Sequence, residues 1–226
     1  MGQEVKEISM QQNTCYFSAT LKGTKHRENK DNFLVIDDPF FFLFVVFDGV
    51  SSAKESKQAV DQAKMYIKEN YKVYLNQTVN IRTLMFDLNT DLINSNLAEP
   101  YSTYCLLYLE KASQQLYYSW LGDSRIYTIT NQFVEKLTED DSISENVLTK
   151  FLGSPELSIE DFRQKKCDKK EGHLLLCTDG FHTLFESNKL KFFNTFNGKS
   201  LSKVKERIVS LVEGNNVDDS TFIFIK

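Results

Sequence analysis

The stretch Phe40-Phe41-Phe42-Leu43-Phe44-Val45-Val46-Phe47 runs directly into Asp48-Gly49. Its length and its aromatic and β-branched content predict a buried strand. Asp48 is thereby delivered to the strand's exit, where glycine lets the backbone turn sharply or approach a ligand. The pattern recurs where Leu174-Leu175-Leu176-Cys177-Thr178 leads into Asp179-Gly180. A third carboxylate, Asp123, follows Gly122 after the strand-like residues 116–121, and a fourth, Asp218, precedes a terminal strand at 221–225. One Asp-Gly after a strand is usually a turn. Four such carboxylates brought together would repel and resist desolvation unless a cation sat among them. A carboxylate-rich donor set suits Mg²⁺, Mn²⁺ or Ca²⁺, whereas zinc and copper sites usually include histidine or cysteine.

The rest of the chain bounds the answer. No Pro/Gly/Ser-rich stretch marks a linker, so residues 1–226 are read as one domain. With 41% hydrophobic residues, 18 Phe and 10 Tyr, it can build a core without disulfides or structural metal. A net charge of −4 and the absence of a long basic cluster argue against nucleic acid as the main partner. Cys15, Cys105, Cys167 and Cys177 lack metal-ligand spacing and read as reduced thiols of a cytosolic protein. The polar start Met1-Gly2-Gln3-Glu4-Val5-Lys6 has no apolar signal core, and Lys6 stands where myristoylation expects Ser or Thr. The longest apolar stretch is far below the roughly 20 residues that span a bilayer. A soluble, cytoplasmic monomer is expected.

Strand signals cover residues 13–21, then 33–36 and 40–47 as a hairpin joined by Asp37-Asp38-Pro39. Ser52-Ala53-Lys54-Glu55 fits a capping box before a helix with Val60, Ala63, Ile67, Tyr71 and Tyr74 on one face. A second helix aligns Ile81, Leu84, Met85, Leu88 and Leu92. Strands at 104–109, 116–121, 125–129 and 133–137 read as a meander, followed by a short helix around 144–152 that ends at Gly153. After the strand at 172–178, a last helix aligns Leu201, Val204, Ile208, Leu211 and Val212 and stops at Gly214. Two consecutive helices among mostly antiparallel strands favour an α+β fold over a doubly wound parallel sheet.

Taken in order, these motifs resemble the PP2C (PPM) family of metal-dependent protein serine/threonine phosphatases, from about Gly23 to the C-terminus. The family's Arg and Asn-x-Asp are matched by His26-Arg27-Glu28-Asn29-Lys30-Asp31, with His26 in the arginine register. Its Asp-Gly-x-Gly-Gly resembles Asp48-Gly49-Val50-Ser51-Ser52, and a small/Thr pair resembles Ser102-Thr103. Gly-Asp-Ser-Arg stands intact at Gly122-Asp123-Ser124-Arg125. Leu-Thr-x-Asp-His is similar to Leu137-Thr138-Glu139-Asp140-Asp141, and Thr-x-x-Leu-Gly to Thr149-Lys150-Phe151-Leu152-Gly153. Thr178-Asp179-Gly180 and Asp218-Asp219-Ser220-Thr221 complete the set.

The resemblance implies a four-layer fold, two packed antiparallel sheets flanked by helices. It implies that Asp48, the Gly49 carbonyl, Asp179 and Asp218 hold two Mn²⁺ or Mg²⁺ ions, with Asp31 linked directly or through water, and that Asp123 with Asp179 serves a looser third ion. Phosphoserine and phosphothreonine in a protein substrate would be hydrolysed by a metal-activated water. His26 or Arg27 would contact the phosphate. Val50 stands where some members carry a histidine general acid, Lys30 replaces Glu or Gln, and Arg125 reads as a structural ion-pair partner. A pseudophosphatase that binds a phosphoprotein without turnover is the alternative. A haloacid-dehalogenase-type phosphatase is excluded, because no Asp-x-Asp occurs.

Overall fold

The computed structural model describes residues 9–11, 14–144, 147–168, 172–198 and 200–226. The Met1 to Lys6 segment and the Cys15 side chain lie outside the described residues. In chain order come β1 (Ser9–Gln11), β2 (Thr14–Leu21), β3 (Asn32–Asp37) and β4 (Phe41–Gly49), then helices α1 (Ser56–Leu75) and α2 (Ile81–Ile93). Next are β5 (Ser102–Glu110), β6 (Gln115–Leu121), β7 (Arg125–Ile129), β8 (Val134–Lys136), β9 (Ser142–Ser144), β10 (Val147–Leu148), β11 (Lys165–Asp168) and β12 (His173–Cys177). The chain closes with α3 (Asp179–Ser187), α4 (Lys189–Phe196), α5 (Leu201–Val212) and β13 (Ser220–Ile225).

Two antiparallel sheets result, ordered β1-β2-β13-β12-β7-β8 and β11-β6-β5-β4-β3, beside a separate β9-β10 ribbon. The long apolar runs are explained by what covers them. In β4, Phe42, Phe44 and Val46 meet Ile126, Leu174, Leu176, Ile223 and Ile225 between the sheets. The alternate residues Phe41, Leu43, Val45 and Phe47 pack under α1 and α2. Leu175 and Cys177 of β12 likewise pack under α3, α4 and α5. Both faces of each central strand are therefore buried, giving the expected α+β architecture of two sheets flanked by helices.

Several expectations are corrected. The four strands from 104 to 137 are not one meander: β6 pairs with β5 and β11, whereas β7 pairs with β12 and β8 in the other sheet. Gly122-Asp123-Ser124 is the crossover between sheets. Gly122 takes φ of 92°, and a Cβ there would lie 2.5 Å from Thr103 Cγ2, so only glycine makes this turn. The helix expected around 144–152 is absent from the described residues. Ile143 and Val147 are exposed, leaving a helix no apolar face to bury, and Leu152 instead bridges to Ser102. The capping box does not form, because α1 starts at Ser56 and the Glu55 carboxylate accepts from the Ala98 N–H. Lys30 Nζ donates to the Ser51 and Ala53 carbonyls at 2.9 Å each, holding that segment as a turn.

Phe44 is fully buried between the sheets, edge-on to Tyr16 at 5.2 Å and stacked on Phe42 at 5.7 Å. Phe44→Ala should cost about 3–5 kcal/mol in urea unfolding, the usual effect of an aromatic cavity. A loss below about 1 kcal/mol would show that the sheets do not pack through this residue.

Candidate metal centre

Antiparallel pairing collects the aspartates at one end of the sandwich. The last residues of β4 pair with the first of β5, as Asp48 with Thr103, and Asn32 at the start of β3 pairs with Phe47. In the other sheet Cys177, ending β12, pairs with Phe222 near the start of β13 and with Arg125 starting β7. Asp31, Asp48, Asp123, Asp179 and Asp218 thus sit at neighbouring strand ends.

Their electrostatics show how close they are. Asp31 is buried, and desolvation, then Asp219 and Asp179, push its carboxyl well above the usual range. Desolvation also raises Asp48, reinforced by Asp31, Asp179 and Asp123. Asp48 and Asp179 lie close enough to perturb each other's ionisation, a repulsion that a cation between them would relieve. Asp179, raised by burial and by Asp218, opens α3, whose N-terminal dipole favours its charged form. Burial and Asp179 push Asp123 up to about 7. Such an all-oxygen cluster, costly to ionise alone, fits a hard divalent cation.

Asp31, Asp48 and Asp123 are each held in place by neighbours. Thr178 Oγ1 donates to Asp31 Oδ2 at 2.9 Å while accepting the Thr221 N–H at 3.0 Å. Ser102 Oγ donates to the Asp48 carbonyl at 2.8 Å. The Asp123 turn is pinned three times. Gly122 N–H donates to Asp141 Oδ2 at 3.1 Å, the Ser124 and Thr103 hydroxyls meet at 2.8 Å, and His182 Nε2 lies 3.1 Å from the Asp123 carbonyl. A carbonyl only accepts, so His182 carries its proton on Nε2, and its buried Nδ1 has no hydrogen-bond partner. Burial, with Arg125 nearby, lowers His182 to about 4, which keeps the ring neutral. Arg163 grips Asp141 bidentately at 2.6 and 2.8 Å and lies over Trp120. Arg125 binds Asp140 and Glu186, the structural pairing expected of it.

The closing loop is organised around Asp219, which is buried and accepts from Gly23 N–H at 2.7 Å and Lys30 N–H at 2.8 Å. Gly180 is required here too, because a Cβ would lie 2.1 Å from the Asp219 carbonyl oxygen. Asp218 is half-buried beside it. His26 Nδ1 stands 3.0 Å from Asp219 Oδ2 and Nε2 stands 3.3 Å from Asp218 Oδ1. His26, Asp218 and Asp219 place candidate ligand atoms within 4.8 Å of one another. Arg27 is exposed, and Gly49 is buried. Sequence reasoning missed Arg163 and the anchoring roles of Asp219, Asp141 and His182. Only Asp219 and Asp141 carried a signal, as members of recognised motifs.

The family model described as protein phosphatase 2C matches residues 22–213. Serine/threonine phosphatase Stp1 from Staphylococcus aureus superposes with a TM-score of 0.77 at 19% identity, covering 100% of this chain and 98% of that one. The PPM Ser-Thr phosphatase MsPP from Mycobacterium smegmatis, in complex with cacodylate, gives 0.71 at 18% identity, with 93% and 97% covered. RsbX in complex with magnesium gives 0.72 at 15% identity, with 97% and 98% covered. Among curated proteins none matches the chain.

Raised carboxyl pKa values make the folded state bind more protons than the unfolded one, so their contribution to stability falls as pH rises through the raised values. His182 acts oppositely, but only below its ordinary value of about 6.5. In chelator, the melting temperature should therefore fall between pH 6.5 and 8, a range that contains the raised Asp123 value of about 7. Added Mg²⁺ or Mn²⁺ should raise the melting temperature more at pH 8 than at pH 6.5. A chelated melt that is flat or rising with pH would disprove the clustering of these acids.

Proposed function

The chain belongs to the protein phosphatase 2C family of protein serine/threonine phosphatases, and we propose that it hydrolyses phosphoserine and phosphothreonine in proteins through a divalent-metal centre. The observation that carries this reading is the convergence of Asp48 and Asp179, both half-buried, with Asp31, Asp123 and Asp218 at neighbouring strand ends, close enough that their carboxyls raise one another. A module that only bound phosphoproteins would have no use for so costly a cluster. Asp48, the Gly49 carbonyl, Asp179 and Asp218 would hold two Mn²⁺ or Mg²⁺ ions, supported by Asp31, with Asp123 and Asp179 serving a third. When bound, these ions acidify a water and neutralise charge on the phosphoryl oxygens.

The chain's own residues supply position. The three pins on the Asp123 turn, from Asp141, Thr103 and His182, hold its carboxylate without side-chain freedom of their own. Thr178 aims Asp31. Arg27, exposed one residue from the cluster's edge, has the permanent charge and planar fork suited to a phosphate. Val50 offers no proton, so the departing alkoxide takes its proton from another group. No helix among the described residues is long and apolar enough to cross a membrane. Cytoplasmic residence is part of this reading, supported by the buried reduced thiols of Cys105 and Cys177, and a monomer is proposed with it.

Turnover of an aryl phosphate and of a phosphothreonine peptide is expected with Mn²⁺ or Mg²⁺ and should vanish in chelator. Asp48→Asn and Asp179→Asn should each lower kcat by at least about 10²-fold, as loss of a preorganised electrostatic contact does. Near wild-type turnover in both variants would refute the assignment. Arg27→Ala should raise KM several-fold with kcat little changed, because the lost contact holds the substrate phosphate before and during reaction alike.

A further inference from the structure

At the register where the family places an arginine, this chain has His26, and its surroundings differ from those of a free surface histidine. The loop that carries it is laced to the loop of Asp218. Thr24 N–H donates to the Asn216 carbonyl at 3.0 Å, Lys25 N–H to the Val217 carbonyl at 3.3 Å, and Gly23 N–H to Asp219 Oδ1. His26 N–H closes the turn onto the Gly23 carbonyl at 3.1 Å. The imidazole is therefore preorganised, with its side chain only 23% exposed.

Its two nitrogens face different carboxylates. Asp219 Oδ2 is 3.0 Å from Nδ1 and already accepts the Lys30 N–H, so it is an oxygen acceptor suited to the Nδ1 proton. That fixes the tautomer and leaves Nε2 with a lone pair 3.3 Å from Asp218 Oδ1. Two donors on adjacent corners of a metal's coordination shell, with bonds of about 2.1 Å, stand about 3.0–3.4 Å apart. In histidine-ligated sites a buried carboxylate usually holds one imidazole nitrogen so that the other can bind metal.

We propose that His26 is a nitrogen ligand of the divalent-ion centre, oriented by Asp219 and acting with Asp218, so that the centre selects transition-metal ions over Mg²⁺. The proposal rests on the reading of Asp218 as a metal ligand. Imidazole adds little to the binding of hard Mg²⁺ but favours ions later in the first transition series, with Zn²⁺ gaining more than Mn²⁺.

Calorimetric titration of the metal-free wild type, His26→Gln and His26→Arg with Mg²⁺, Mn²⁺ and Zn²⁺ tests this. Both variants should lose at least about 10-fold in Zn²⁺ affinity and a smaller factor for Mn²⁺, with Mg²⁺ affinity held within about 2-fold. In wild-type protein labelled with ¹⁵N-histidine, Zn²⁺ should shift the Nε2 resonance of His26, while Mg²⁺ should not. Equal weakening for all three ions, or an unmoved His26 resonance in Zn²⁺-loaded protein, would mean that the ring only bridges two carboxylates and would overturn the proposal while leaving the metal centre intact. Failure of wild type to bind any of the ions would instead defeat the centre itself, and this inference with it. The resonance measurement needs no variant, so it holds even if a substitution impairs folding.

Discussion

The structure depends on one unfavourable interaction. Asp48 and Asp179 are brought near each other at the end of a hydrophobic sandwich, with Asp31 buried beside them. Neighbouring carboxylates taken out of water resist ionising together without a counter-charge. Their approach is imposed by the strands that carry them, since β4 and β12 lie in opposite sheets and touch through Val46, Leu174 and Leu176. Apolar burial between the sheets therefore drives the acids together, and cation binding relieves the repulsion that burial creates. Packing and function are opposed in the metal-free chain and aligned in the loaded one.

This arrangement explains why so much hydrogen bonding is spent on backbone near the cluster. Side chains of Asp141, Ser102, His182 and Asp219 bind backbone groups beside Asp123, Asp48 and Asp31, leaving the acids themselves directed into the site. Thr178 is the exception, binding the Asp31 carboxylate directly. A carboxylate fixed by its own backbone keeps its lone pairs for a cation, whereas one tied by several side-chain donors would already be neutralised. Glycine completes the scheme at two positions: Gly122 makes a left-handed turn against Thr103, and Gly180 lets α3 begin against the Asp219 carbonyl.

Much of this was legible in the sequence because it depends on short-range pattern. The runs that became β4 and β12 are continuous and bounded by Asp-Gly, so strand, burial and carboxylate could be read together. The Leu84, Met85 and Leu88 face of α2 was equally plain. What could not be read was set by long-range pairing. Nothing local says that β7 leaves the sheet of β6, because both segments have strand composition and the choice is made by Ile126 packing between the sheets. The same limit applies to 144–152, where helical spacing was present but the fold gave it no surface to cover. Arg163 was invisible, since it acts by gripping an aspartate 22 residues away in sequence and lying over Trp120.

Three departures from the family motif are each met by a neighbour. Asp141 replaces histidine, and its added negative charge near Gly122 is met by the bidentate Arg163, itself lying over Trp120. Lys30 replaces an acidic or amide residue, and its ammonium turns away to the Ser51 and Ala53 carbonyls, so the cation does not compete for the site. His26 replaces arginine, and its ring is received by Asp218 and Asp219. An arginine there would bring a permanent positive charge against Asp218, whereas a neutral imidazole would leave that carboxylate's full charge available to an ion. In each case the local charge has changed and a neighbour has taken up the difference, while the Asp48, Asp123 and Asp179 positions keep the residues that the motif requires. Balanced in this way, the surrounding charges neither neutralise the aspartates nor add to their repulsion, so the cluster keeps the excess negative charge that would attract a divalent cation.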